Sequence, residues 1–159
     1  MKTQIIAALT IATAAALPLA AVANACGGGG GDVPTAYDFV SPSGNIACTI
    51  YADGSGANCE VQEHTWVIPA STEGPYDRPC NFNFGGLAIY VSQGKPGKLG
   101  CYEGSGKFKY PDPDQQTLDY GQTYSRGAIT CDSEPSGVTC TDTVTRHFFR
   151  VSRESYEVG

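Results

Sequence analysis

The spacing of six cysteines restricts what this chain can fold into more than any other feature of its sequence. The first two lie in neighbouring runs, Ile46–Ile50 and Ala57–Val61, which the turn-forming residues ADGSG separate. Alternating runs of this kind are typical of antiparallel strands with one buried face. A two-residue type I′ turn at Asp53-Gly54 would pair positions whose numbers sum to 107. This register places Cys48 opposite Cys59 on the apolar face, where a disulfide can form.

A second stretch repeats this arrangement. Gly127–Cys131 is similar to Gly44–Cys48, and another cysteine again follows a short turn. A four-residue loop over Glu134–Gly137 pairs Cys131 with Cys140. A three-residue loop with a bulge at Gly137 would instead point the two cysteines to opposite faces. The sequence thus predicts two similar cysteine-bridged hairpins, although glycine-rich hairpins also resemble each other by chance.

Cys80 and Cys101 are left to pair with each other. We therefore predict sequential bridges, and the rival connectivity joins the two hairpins through Cys48–Cys131 and Cys59–Cys140. Short alternating runs separated by Gly, Pro and Asp clusters continue along the chain, with almost no helical periodicity. The predicted fold is all-β: a small antiparallel domain of several hairpins, bridged by disulfides.

The composition explains why bridges are needed. Leu, Ile, Val and Phe make up only 22 of the 123 residues from 37 to 159, less than the roughly 20% below which chains tend towards disorder. The nine tyrosines of the chain add apolar area. Three bridges would each contribute about 2.5 to 3.5 kcal/mol by restricting the unfolded chain. The reduced protein is therefore expected to unfold.

The N-terminus has the pattern of an export signal. One lysine, an apolar run and the small residues Ala23, Asn24 and Ala25 predict a signal peptide over residues 1–25. Cleavage after residue 25 would make Cys26 the new N-terminus, as at a bacterial lipoprotein processing site. Alanine in place of the usual leucine at position 23 leaves an ordinary A-N-A cleavage as the alternative.

Cysteine number favours lipidation. The chain has seven cysteines, an odd number, so one is left without a partner when the other six pair. We predict that Cys26 carries a lipid, that residues 26–36 form a glycine-rich tether, and that residues 37–159 form a single bridged β domain. The predicted location is extracytoplasmic, either anchored to the cell membrane by that lipid or secreted.

The charge of the chain excludes one class of partner. The formal net charge is −6, and such a surface repels nucleic acid. The partners that remain are the membrane, reached through the lipid on Cys26, and an envelope protein or glycan that the sequence does not identify.

No catalytic residue is predicted. His64 and His147 lie outside any recognisable nucleophile motif, and a histidine in a strand is usually a surface or hydrogen-bonded residue. Zinc is not expected because the sulfurs are predicted to be bridged. Asp112, Asp114 and Asp119 cluster carboxylates without the spacing of a calcium loop. No metal and no cofactor is therefore predicted.

Three weaker patterns in the sequence concern possible binding sites. The stretch EGSGKFK lacks the glycine and the hydroxyl residue of a phosphate-binding loop. A group of lysines predicts either a docking patch or, preferably, protection of an edge hairpin: Lys95, Lys98, Lys107 and Lys109. The segment YPDPDQQTLDY, residues 110–120, combines aromatic and carboxylate groups that suit a sugar, although tyrosine more often fills core and rim.

One larger pattern spans almost the whole chain after the leader. It runs from F-x-S-P-S-G-N-I-x-C (Phe39 to Cys48) through Trp66, Cys80 and Cys101 to G-x-I-x-C, G-V-x-C and the HFFRVSRESY tail. This pattern resembles a family of uncharacterised small exported or lipid-anchored domains of mycobacteria and other actinobacteria. The resemblance implies export and a bridged β domain, but it brings no activity and no functional residues.

The expectation from the sequence is a non-catalytic envelope lipoprotein that presents a rigid bridged β domain for binding or for a structural role. The alternative is a secreted inhibitor or ligand-binding module without lipid. An envelope enzyme is the third and least favoured reading, and it would need a histidine beside a carboxylate in a pocket.

Overall fold

The computed structural model describes residues 36–74, 78–80, 85–103, 106–108 and 115–159. The predicted leader, Cys26 and residues 27–35 of the tether lie outside this part of the chain. No helix that is long and apolar enough to cross a membrane occurs among the described residues. Every strand is short, and the predicted all-β class is confirmed. Within the described ranges the strands are β1 (Tyr37–Val40), β2 (Ile46–Ile50), β3 (Gly56–Val61), β4 (Gly85–Ser92), β5 (Lys95–Glu103), β6 (Gln116–Thr117), β7 (Thr123–Arg126), β8 (Ile129–Glu134), β9 (Gly137–Asp142), β10 (Phe148–Val151) and β11 (Tyr156–Val158).

The strands form two sheets that pack face to face as a β-sandwich. The first sheet has the order β5-β4-β3-β2-β1-β6, and the second has the order β11-β10-β9-β8-β7. Neighbouring strands are antiparallel, except that β6 runs parallel to β1. Strands β4 and β5 lie over β9, β10 and β11. Tyr37 of β1 stacks on Tyr124 of β7, with ring centroids 3.4 Å apart.

The two sheets contain the same five-stranded meander. In each meander the second and third strands carry a cysteine pair, and one cross-strand row runs through it towards the opposite sheet. In the first sheet this row is Phe39, Cys48, Cys59, Ile89 and Leu99. In the second sheet it is Tyr124, Cys131, Cys140, Phe149 and Val158. The similarity of the two hairpins therefore extends to whole meanders.

The first hairpin has the predicted register but a different turn. Cys48 pairs with Cys59, with Cα atoms 4.0 Å apart. Gly54 alone in the turn has a positive φ, of 70°, whereas a type I′ turn needs one at Asp53 as well. The loop has four residues, because Tyr51 N–H bonds to Gly56 and Gly54 N–H donates to the Tyr51 carbonyl. A four-residue loop and a two-residue turn with the same centre give the same register.

The second hairpin also keeps its predicted register with a corrected loop. Glu134 and Gly137 form a cross-strand pair instead of belonging to the loop, which leaves Pro135 and Ser136 as the turn. No bulge occurs at Gly137, so Cys131 and Cys140 face each other, with Cα atoms 4.0 Å apart.

The disulfides follow the sequential pattern: Cys48–Cys59, Cys80–Cys101 and Cys131–Cys140. The rival pairing between the hairpins is wrong, because each hairpin closes its own bridge. The first and third bridges lie wholly within the core cluster between the sheets, beside Phe39 and Phe149. The second bridge instead fastens the loop before residue 80 to the edge strand β5.

A buried aspartate joins the two sheets at one end. Asp142, only 1% exposed, accepts hydrogen bonds from the Gly94 N–H at 2.8 Å and from the Thr145 hydroxyl at 2.7 Å. Gly94 belongs to the turn between β4 and β5 in the first sheet, and Asp142 ends β9 in the second. The Gly94 N–H bond, followed by the Thr145 hydroxyl, lowers the pKa of Asp142 to about 2.

Replacing both Cys131 and Cys140 by alanine is expected to lower the free energy of unfolding by more than about 3.5 kcal/mol, as measured by urea denaturation. The loop entropy alone gives about 2.7 kcal/mol, and the cavity left between the sheets adds to it. The matched control replaces Cys80 and Cys101 by alanine. The loop entropy contributed by this bridge is larger, about 3.4 kcal/mol, but its sulfurs lie outside the core cluster. A greater loss in the control would contradict the packing role of the core bridges.

The Asp142 bonds predict acid sensitivity. A carboxyl whose pKa is depressed in the fold contributes stability above its unfolded pKa, about 3.9, and loses it as the pH falls towards the folded value. Urea midpoints are therefore expected to fall between about pH 4 and pH 2. Asp142→Asn should lower the midpoint at neutral pH and flatten this decline, because the amide cannot accept from all of these donors. The exposed Asp119→Asn is the control and should leave the profile unchanged.

Candidate functional site

The outer face of the first sheet carries a diagonal row of three polar residues that is unusually well covered. Asp38, Thr49 and Glu60 lie on β1, β2 and β3, on the face away from the second sheet. An antiparallel sheet ordinarily leaves this face in water. Here Thr49 and Glu60 are buried, at 8% and 7% exposure. Residues 106–108 contact this row through Lys107.

Lys107 makes two different contacts with the row. Its backbone N–H donates to Glu60 Oε2 at 2.8 Å, while its ammonium pairs with Asp38 Oδ1 at 2.5 Å. The Thr49 hydroxyl donates to the same Asp38 oxygen at 2.5 Å. The positive charge of Lys107 is therefore engaged directly with Asp38, while Glu60 accepts the Lys107 backbone N–H and feels that charge without a direct ion pair.

Tyr102 supplies a second neutral donor to Glu60. Its hydroxyl hydrogen-bonds to the carboxylate, and its ring lies over Gly86, its cross-strand partner. A Cβ atom on Gly86 would lie 2.2 Å from the Tyr102 hydroxyl oxygen, and one on Gly106 would come closer still. Both positions must therefore lack a side chain for the tyrosine to reach Glu60.

The electrostatics of the two carboxylates are opposed. Burial raises the pKa of Glu60, and the hydrogen bonds from Lys107 and Tyr102, together with the charge of Lys107, offset this only in part. Burial acts in the same direction on Asp38, but the bonds from Lys107 and Thr49 outweigh it, so the pKa of Asp38 is lowered. Burial, together with the charge of Glu60, raises the pKa of Tyr102 to about 12. Tyr102 is thus a neutral donor at physiological pH.

A cavity of about 420 Å³ opens beside Glu60, where β3 ends and β4 begins. We call it the Glu60 pocket. It is lined by Glu60, Val61, Gln62, His64, Ile68, Gly86, Leu87, Tyr102 and Phe108. Its walls are therefore largely apolar, with one buried carboxylate, a pattern that is common in small-molecule sites.

A second cavity, of about 410 Å³, lies at the end of the sandwich, and we call it the end cleft. It is lined by Ser41, Ser43, Gly44, Asn45, Ile46, Gln62, Glu63, Tyr120, Glu134, Pro135, Gly137, Ser152, Arg153 and Glu154. Its lining is mostly polar. The Glu63–Arg153 pair, 3.4 Å between nitrogen and oxygen, is well exposed and contributes little to stability.

The two histidines occupy different environments. His64 lines the Glu60 pocket, where its ring stacks on Trp66 with centroids 4.1 Å apart. Its Nδ1 lies 2.9 Å from the Trp66 carbonyl oxygen, which can only accept, so Nδ1 carries the proton. Among the described residues no hydrogen bond joins His64 to Glu60. His147 is half-buried in the connection before β10, far along the chain from this pocket.

The remaining candidates from the sequence are dispersed. Asp112, Asp114, Lys109 and Tyr110 lie outside the described residues, and Asp119 is exposed. Tyr120 lines the end cleft. Lys98, on the edge strand β5, pairs with Glu73 at 3.7 Å, whereas Lys107 is engaged with Asp38, so these two do not form one patch. No cluster of three or more His, Cys, Asp or Glu suited to a metal occurs in the described part of the chain.

The fold and its cavities define a class of protein: a disulfide-bridged β-sandwich of two meanders with a carboxylate pocket where β3 ends and β4 begins. No family model, no curated protein and no solved structure matches this chain.

The opposed pKa shifts predict opposite effects of two similar substitutions. A carboxyl whose pKa is raised in the fold loses stability as the pH rises through that pKa. Glu60→Gln is therefore expected to raise the unfolding midpoint at pH 7, and the gain should disappear in acid. Asp38→Asn is the matched comparison. It should cost about 1 to 3 kcal/mol, because it weakens the bonds from Lys107 and Thr49. Destabilisation of both variants at pH 7 would contradict this assignment.

Proposed function

We propose that this chain is a non-catalytic protein of the cell envelope. In this proposal residues 1–25 direct export, Cys26 carries the lipid, and residues 26–36 hold the domain away from the membrane. The bridged β-sandwich then serves as a rigid binding domain.

The burial of the disulfides is the observation that carries the proposal. All four sulfurs of Cys48–Cys59 and Cys131–Cys140 are buried between the sheets, in a core with few aliphatic side chains. Such a core depends on its bridges, and bridges persist in oxidising compartments and are rare in the cytosol. This dependence supports an extracytoplasmic location.

The pairing of the other six cysteines supports a separate role for Cys26. With three intramolecular bridges formed, Cys26 has no cysteine partner within its own chain. Acylation is the use that its place after a small-residue leader favours. The proposal also agrees with the resemblance to exported and lipid-anchored domains of actinobacteria.

The secreted ligand-binding module stays the second candidate, and the Glu60 pocket favours it as much as it favours an anchored binding domain. The two differ only at the N-terminus. An ordinary cleavage would release the same sandwich with a free Cys26.

Detergent phase separation and intact mass measurement test the proposal in an actinobacterial host. The wild-type protein is expected in the detergent phase, with a mass that fits a chain starting at Cys26 plus acyl groups. Cys26→Ser, which keeps the side chain small and polar, should abolish lipidation and move any processed protein to the aqueous phase. Reduction should add six hydrogens to the wild-type mass. A lipid-free chain in the aqueous phase would favour the secreted module, and six free thiols would contradict an extracytoplasmic location.

A further inference from the structure

We propose that the Glu60 pocket binds a small molecule that combines a protonated primary amine with an apolar body. This inference rests on the proposed binding role of the domain and names the class of ligand. The residues from which it is argued all belong to the described part of the chain.

The charge balance of the polar row favours a cation beside Glu60. Asp38, Glu60 and Lys107 together carry one excess negative charge. The ammonium of Lys107 is engaged with Asp38, and in the described residues no other cation lies within ion-pair distance of Glu60. A buried carboxylate that has only neutral donors is costly to keep ionised.

The cavity beside this carboxylate is where a cation can enter. Glu60 has two neutral donors, the Lys107 N–H and the Tyr102 hydroxyl, and an ionised carboxylate can accept further bonds. His64 contributes to the same cavity, and because its Nδ1–H is used on Trp66, its Nε2 is an acceptor in the neutral ring. An ammonium, which has three donors and no acceptor, complements both groups.

The remaining walls select the body of the ligand. The half-buried Ile68 and Phe108 offer aliphatic and aromatic surface, which suits a hydrocarbon chain or ring, and the nearly buried Val61 and Leu87 add a smaller apolar area. The volume of about 420 Å³ lies in the range of small-molecule pockets. Anions are repelled by the excess negative charge. A bare metal ion is disfavoured, since the described residues bring together no set of three metal-binding side chains.

The end cleft differs in the chemistry that it could recognise. Its lining is mainly polar, and its arginine is already paired with Glu63. Glu63 therefore provides a control carboxylate only three residues from Glu60 in sequence, in a different cavity.

The test is an NMR titration of the full mature chain, unlipidated through Cys26→Ser, with phenethylamine hydrochloride and with its neutral counterpart 2-phenylethanol. The amine is expected to shift the amides of Glu60, Gly86 and Tyr102 and to bind about tenfold more tightly than the alcohol. Glu60→Gln should reduce amine binding to the level of the alcohol. Glu63→Gln, which removes the same charge, should leave it unchanged.

Several results would overturn the inference. The amine and the alcohol could bind equally well, or Glu60→Gln could bind the amine as tightly as the unsubstituted protein does. The shifts could also be confined to Asn45 and Tyr120 of the end cleft, or no saturable shift could occur up to about 10 mM amine. The comparison of amine with alcohol on the unsubstituted pocket decides the matter even if Glu60→Gln fails to fold. A lipid-free Cys26 in the detergent phase separation would contradict only the membrane anchoring. Failure of the proposed function can therefore be told apart from failure of the amine-binding inference.

Discussion

The two cross-strand disulfides between the facing sheets are the constraint on which the rest of the structure depends. Each joins the second and third strands of its meander, in the row that faces the opposite sheet. Buried sulfur acts as apolar volume, so the bridges fill space where a richer core would place leucine or isoleucine. They also restrict the unfolded chain. Reduction would remove both contributions together, so the fold is compatible with an oxidising environment.

The two meanders share one scaffold, yet the candidate site forms on the first alone. The difference lies in the connection from β5 to β6, whose residues 106–108 contact the outer face of the first sheet through Lys107. This contact turns an outward-facing position on β3 into a buried carboxylate beside a cavity. Thr141, which follows Cys140 as Glu60 follows Cys59, has no comparable cover among the described residues and is only half-buried. The pocket therefore depends on a loop placed over a repeated framework.

Local sequence was sufficient to predict the cysteine pairing, because a register depends on the centre of a turn and not on its type. That is why Cys48–Cys59 and Cys131–Cys140 were predicted correctly while both loops were predicted with the wrong length. The Glu60 pocket was not predicted. Alternation correctly assigns Glu60 to the outer face, and only the distant contact with Lys107 buries it. The glycines at 86 and 106 are the one trace of this site in the sequence, and their meaning requires knowing that Tyr102 lies between them.

Stability and recognition are linked through the same carboxylate. Burial disfavours the charged form of Glu60, so keeping it ionised costs the folded state some stability. A domain with so few aliphatic residues would ordinarily tolerate such a group poorly. Three bridges, each contributing about 2.7 to 3.4 kcal/mol on the chain-entropy model, together outweigh the several kcal/mol that burial of one ion typically costs. An ammonium bound at Glu60 would remove that cost, and the free energy regained would add to the affinity for the ligand. The disulfides thereby make it possible for a thin core to support a charged binding pocket.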